Sequence, residues 1–104
     1  MKRKGFILKQ LYYSSYDHRW HADDSYTYKV LDVMVLPENA IGVKLIRKKN
    51  VGSTSFIFRF TNKTGGVWRI GNKDYDLRSD DVLYEFYKDI QNRLTENVLE
   101  SLNG

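Results

Sequence analysis

The sequence predicts an α+β domain, a curved antiparallel sheet of five to six strands packed on one face by one long C-terminal helix. Three observations carry this expectation. Between Gly5 and Leu77 short stretches alternate apolar and polar residues and are separated by Gly, Asn and Pro, the pattern of strands joined by hairpins. From Ser79 onward the apolar residues recur at a helical period instead. The chain has 104 residues, enough for one core, and a sheet covered by a helix is an economical way to build it. A single domain, 1–104, is therefore expected, with strands in 1–78 and the helix in 79–104.

Gly5–Tyr13 reads as the first strand, followed by a polar loop from Ser14 to Ser25. Tyr26–Leu36 is the second. Its even positions Tyr26, Tyr28 and Val30 share one face, and Leu31, Val33 and Val35 then take the other, so a bulge or bend is expected near Val30. Pro37, Glu38 and Asn39 supply a turn. The third strand, Ile41–Lys48, turns Ile41, Val43 and Leu45 one way and Lys44, Ile46 and Lys48 the other. Gly52 marks the next turn, and Ser55–Thr61 aligns Phe56, Phe58 and Phe60 toward the core with Arg59 opposite. After Thr64, Gly65 and Gly66, the segments Val67–Ile70 and Lys73–Leu77 meet across Gly71 and Asn72, a pair suited to a two-residue hairpin turn.

The helix presents Leu83, Phe86, Tyr87, Ile90, Leu94, Val98 and Leu102 on one stripe. Ser79 or Asp80 caps its start, Asp80 and Asp81 complement its positive end, and Asn103-Gly104 is a plausible stop. Thr95, Glu96 and Asn97 form a weak stretch where it is expected to bend or fray. The sheet face away from the helix should be mostly polar, with Lys44, Arg59 and Arg69 as its candidates.

Several function classes find no support. No cysteine is present, which excludes disulfides, thiolate zinc sites and thiol nucleophiles and fits a reducing, cytoplasmic setting. The basic start, Met1 to Gly5, is followed by only three apolar residues, Phe6 to Leu8, too few for a signal-peptide core or a membrane span. A soluble, non-enzymatic protein is expected, because phosphate loops, nucleophile elbows and dinucleotide fingerprints are all lacking.

Charge is divided along the chain. Residues 1–78 hold 15 Lys/Arg against 7 Asp/Glu, a balance of +8, while residues 79–104 hold 2 against 6, a balance of −4. Such polarity favours a partner of opposite charge on one surface, whether nucleic acid or an acidic protein face. Aromatic and basic residues interleave in the first third, at Tyr12, Tyr13, Tyr16, Arg19, Trp20, Tyr26 and Tyr28, behind Lys2, Arg3 and Lys4. Bases stack on rings beside a cationic groove in this way, and Tyr, Trp and Arg equally dominate protein–protein hot spots.

Three candidate sites follow. For protein binding they are Tyr16, Arg19 and Trp20 in the first loop and the acidic helix face at Glu85, Asp89 and Glu96. For direct nucleic-acid binding they are Arg47, Lys48, Lys49, Arg59 and Arg69, with tyrosine stacking. His18 and His21, with Asp23, are the only concentration of nitrogen and oxygen donors that zinc would accept, so zinc is the one cofactor with a candidate site.

Lys, Asn, Ile and Tyr together number 31, a bias like that of A/T-rich bacterial and phage genomes. In length, lack of cysteine, single sheet and helix and polarised charge, the whole chain resembles phage and mobile-element accessory proteins of the anti-CRISPR type; no motif carries the resemblance. It implies a stoichiometric inhibitor acting in the host cytoplasm, whose partner is a host protein of nucleic-acid machinery such as an effector nuclease. Inhibitors that mimic nucleic acid are typically acidic, and here only the helix is.

Overall fold

A computed structural model describes residues 6–48 and 52–103, with side chains through Thr95. Lys2, Arg3, Lys4, Lys49 and Gly104 lie outside the described residues, as do the side chains of Glu96, Val98 and Leu102. The order of elements is β1 (Phe6–Ser14), β2 (Arg19–Ala22), β3 (Thr27–Leu36), β4 (Ala40–Lys48), β5 (Ser53–Phe60), β6 (Val67–Ile70), β7 (Lys73–Asp76) and α1 (Asp80–Asn103). All pairings are antiparallel, the sheet order is β5-β4-β3-β1-β6-β7, and β2 pairs with β1 off that path. The α+β class and the single C-terminal helix are as the sequence predicts. Among the described residues the sheet has seven strands rather than five to six, and the additional one, β2, falls in the segment expected to be a loop.

The phase slip in β3 is a bulge. Val30 pairs with Leu45 and Asp32 with Lys44, leaving Leu31 as the extra residue. The expectation that Val33 would turn to the opposite face from Val30 is therefore corrected. The bulge restores the phase, and Val33 packs against the same core as Tyr28 and Val30.

That core lies between the concave sheet face and α1. Leu83, Phe86, Ile90 and Leu94 lie on it from the helix, meeting Leu8, Val43, Leu45, Ile70 and Leu77. The curvature is measurable in its aromatic centre. Phe60 of β5 and Trp68 of β6 are four strands apart in the sheet, about 19 Å if it were flat, yet their ring centroids are 5.1 Å apart. Trp68, almost wholly buried, also meets Tyr28 edge-on at 5.4 Å and Phe58 at 5.6 Å, while Phe60 and Tyr75 both contact Phe86. The Trp68 indole N–H donates to the carbonyl of Gly65, so this ring is buried with its polar atom satisfied.

The turns follow their sequence signals. Gly71 alone of the β6–β7 pair has positive φ, 60°, as a two-residue turn with glycine first requires. Ser79 caps α1, its carbonyl accepting the Leu83 amide. The helix runs without interruption through Thr95, whose hydroxyl bonds back to the Gln91 carbonyl, to Asn103. No described helix is long and apolar enough to cross a membrane.

Replacing Trp68 by alanine should destabilise the domain by about 3–5 kcal/mol, read as a fall in the urea unfolding midpoint. A loss below about 1 kcal/mol would show that the sheet does not depend on this ring.

Candidate partner-binding surface

Beyond Gln10, β1 leaves the sheet. Residues Leu11 to Ser14 pair only with β2, as Leu11 with Ala22, Tyr12 with His21, Tyr13 with Trp20 and Ser14 with Arg19. The result is a two-stranded ribbon projecting from one end of the sheet. A free two-stranded hairpin is marginal in water, and this one is tied down at its base by buried Leu11 and by the Asp23 amide donating to the Gln10 carbonyl at 2.7 Å. Ring pairs stiffen both faces. Tyr12 stacks on His21 with centroids 5.7 Å apart, and Tyr13 meets Trp20 edge-on at 5.4 Å on the opposite face.

At the tip, the Asp17 carboxylate accepts from the Arg19 amide and lies 2.7 Å from His21 Nε2, and His18 adopts positive φ. Desolvation, the largest single contribution, pushes the Asp17 carboxyl up. The His21 hydrogen bond and charge, the Arg19 amide and the Ser14 hydroxyl outweigh it, so the group sits below its ordinary 3.8. Asp23 is held below that value by the Ser25 amide and hydroxyl.

The predicted protein-binding residues of the first loop are brought together here. Tyr16 is 98% exposed at the tip, Arg19 is exposed beside it, and Trp20 retains 39% exposure. Sequence reasoning did not place Tyr12 and Tyr13 among the protein-binding candidates, although they are 52% and 51% exposed. The alternation of Arg19, Trp20, His21 and Ala22 was the signal for the missing strand, obscured by the aspartates on either side.

The helix face fares differently. Glu85 is exposed, and the Glu96 side chain is outside the described residues. Asp89 is not part of an open acidic face, which corrects the expectation. It accepts a hydrogen bond from the buried Tyr75 hydroxyl and another from Arg93 Nε at 2.8 Å. Burial and the Asp89 contact push the Tyr75 phenol well above the ordinary tyrosine range.

The four described basic candidates do not form one face. Lys48 and Arg59 lie on the outer sheet face with Lys44, and so does Arg69, which is locked to Asp74 through two hydrogen bonds. Arg47 lies on the helix side, its guanidinium 4.8 Å from the Tyr26 ring centroid and 5.4 Å from that of Phe56. Alternation along β4 imposes this, since Arg47 shares its face with Leu45 and Val43. The outer face is less polar than expected, with Ile57 and Ile7 exposed on it among Lys29, Lys44 and Arg59.

His18, His21 and Asp23 are not assembled as ligands. His18 Nδ1 is 3.4 Å from the Tyr13 hydroxyl, His21 is on Asp17, and Asp23 caps the Ser25 amide. Among the described residues no three metal-capable side chains are grouped. A separate open groove of about 550 Å³ runs between the start of α1 and the β3–β4 turn, with Val35, Ile41, Leu83, Tyr84 and Tyr87 among its lining.

What fold and surface define is a small α+β domain with an aromatic ribbon standing off an open, curved antiparallel sheet. Comparison with family models, curated proteins and solved structures finds no match to the chain.

Two outcomes follow. Because the folded value of Asp17 is depressed, its contact with His21 contributes to stability above the unfolded value and is lost as pH falls through the folded one. Carboxyl carbon NMR titration should place Asp17 below 3.8 and His21→Ala should raise it. Asp89→Ala strands the Tyr75 hydroxyl and Arg93 and should lower stability by about 1–3 kcal/mol in urea unfolding.

Proposed function

We propose that this chain is a non-enzymatic protein-binding module of phage or mobile-element origin that blocks host nucleic-acid machinery in the host cytoplasm, with an effector nuclease as target, and that the β1–β2 ribbon is its recognition element. The observation that carries this reading is where exposed apolar mass collects. Of the eight large hydrophobic side chains exposed among the described residues, Tyr12, Tyr13, Tyr16 and Trp20 sit on this one ribbon. Grouped exposed rings of this kind mark interaction surfaces. Tyr, Trp and Arg are the side chains that carry most binding energy at protein interfaces, and all three types stand on the ribbon.

Charge favours a protein partner over phosphate at this spot. The tip mixes Arg19 with Asp17, and Asp23 and Asp24 follow β2, so it lacks the net positive field that draws a phosphate backbone. Tyr12, Tyr13 and Trp20, already held in ring pairs, lose little freedom on binding, which favours affinity.

A second reading rests on a different observation. Lys29, Lys44 and Lys48 share the outer sheet face, with Asp32 opposite Lys44, so this face offers a cluster of cations to nucleic acid. Its weakness is that the tyrosines which would stack bases lie elsewhere, Tyr28 and Tyr75 in the helix-side core and Tyr12 and Tyr13 on the ribbon.

The two are separated by one pair of measurements. An RNA-guided nuclease assayed with increasing amounts of the chain should be inhibited stoichiometrically. Tyr13→Ala and Trp20→Ala should each weaken inhibition by about thirtyfold, equivalent to about 2 kcal/mol. Anisotropy of labelled single-stranded DNA, duplex DNA and RNA should show only binding that disappears as salt rises. Tight binding at physiological salt, lost in Lys44→Glu and unaffected by Trp20→Ala, would overturn the ribbon reading in favour of the outer face.

A further inference from the structure

We propose that the free edge of β5 pairs with the same edge of a second copy of this chain, joining two sheets into one across a two-fold axis. β5 terminates the sheet and is paired only with β4. Its eight residues, Ser53 to Phe60, therefore leave one row of backbone donors and acceptors facing outward, and no described backbone hydrogen bond outside the strand pairings involves them.

The other sheet terminus is protected and this one is not. β7 is four residues long and carries Lys73, Asp74 and Asp76, charges of both signs that discourage strand addition. β5 has no proline, one charge, and the run Phe56, Ile57, Phe58 at its centre. Ile57 is 53% exposed, and Phe56 and Phe58 are only partly covered by the core. A long apolar edge of this kind is a template for another strand.

A second copy fits because the strand is complementary to itself. In an antiparallel register centred on Ile57, Ile57 faces Ile57 of the other copy on the outer side. Phe56 meets Phe58 on the helix side, twice by symmetry, and Arg59 falls opposite Ser55. No like charges oppose one another, and the incompletely covered rings gain partners. A two-fold contact of this sort closes on itself, giving a dimer rather than a fibre. This surface is distinct from the ribbon, so the two proposals fail independently.

The test uses the full chain in light scattering and sedimentation over a concentration series. The expected result is a species of twice the chain mass that dissociates on dilution. Ile57→Lys, which sets two lysines face to face at the axis, should abolish it while the circular dichroism spectrum is retained. Ile57→Cys gives the chain its only thiol and should cross-link to a dimer on oxidation, whereas Lys44→Cys, on the outer face of β4, should not. A wild-type chain that stays monomeric at every concentration overturns the inference, as does a dimer that persists in Ile57→Lys and gives no Ile57→Cys cross-link.

Discussion

The contact between Trp68 and the β5 phenylalanines is the constraint from which the rest of the architecture follows. A sheet of this order has its first and fifth strands far apart unless it curls, and curling needs a large residue near the middle of the concave face to be packed around. Trp68 fills that place, with Tyr28, Phe58 and Phe60 against its edges and faces and its one polar atom bonded to Gly65. Once the sheet is curled, α1 needs only one stripe to close the trough, and Phe86 reaches both Phe60 and Tyr75 from it. The Asp89 bridge between Tyr75 and Arg93 then fixes how the helix lies along β7.

Most of the fold was legible in the sequence because each element has a local cause. Alternation at Phe56, Phe58 and Phe60 marks β5, Gly71 and Asn72 mark the last hairpin, and Leu83, Phe86, Ile90 and Leu94 mark the buried stripe of α1. The phase slip at Val30 and Leu31 was visible as well, though its effect was not. A bulge restores phase, and only the partner strand shows whether a slip flips a face or preserves it. β2 was hidden because four residues flanked by aspartates carry too little periodicity to outweigh their turn-forming neighbours.

The candidate binding surface was legible in composition and illegible in geometry. Tyr16, Arg19 and Trp20 were placed in one loop and do stand together, whereas Arg47 was grouped with cations from which the sheet separates it. Asp89 looked like any other acidic residue outside the helical stripe. Its capture by a tyrosine 14 positions earlier depends on how β7 docks, a long-range fact that no helical period contains.

The ribbon shares few atoms with the core, and this separates two kinds of change that most small domains confound. Its pairing ends at Leu11 and Ala22, so the tip can open and reclose while the Trp68 cluster stays shut, as a local unit of lower stability than the whole. Under the proposed function, residues there answer to a partner, and residues around Trp68 answer to the fold. A lineage whose target keeps changing could then rewrite the ribbon, residue by residue, with little loss of the scaffold that presents it.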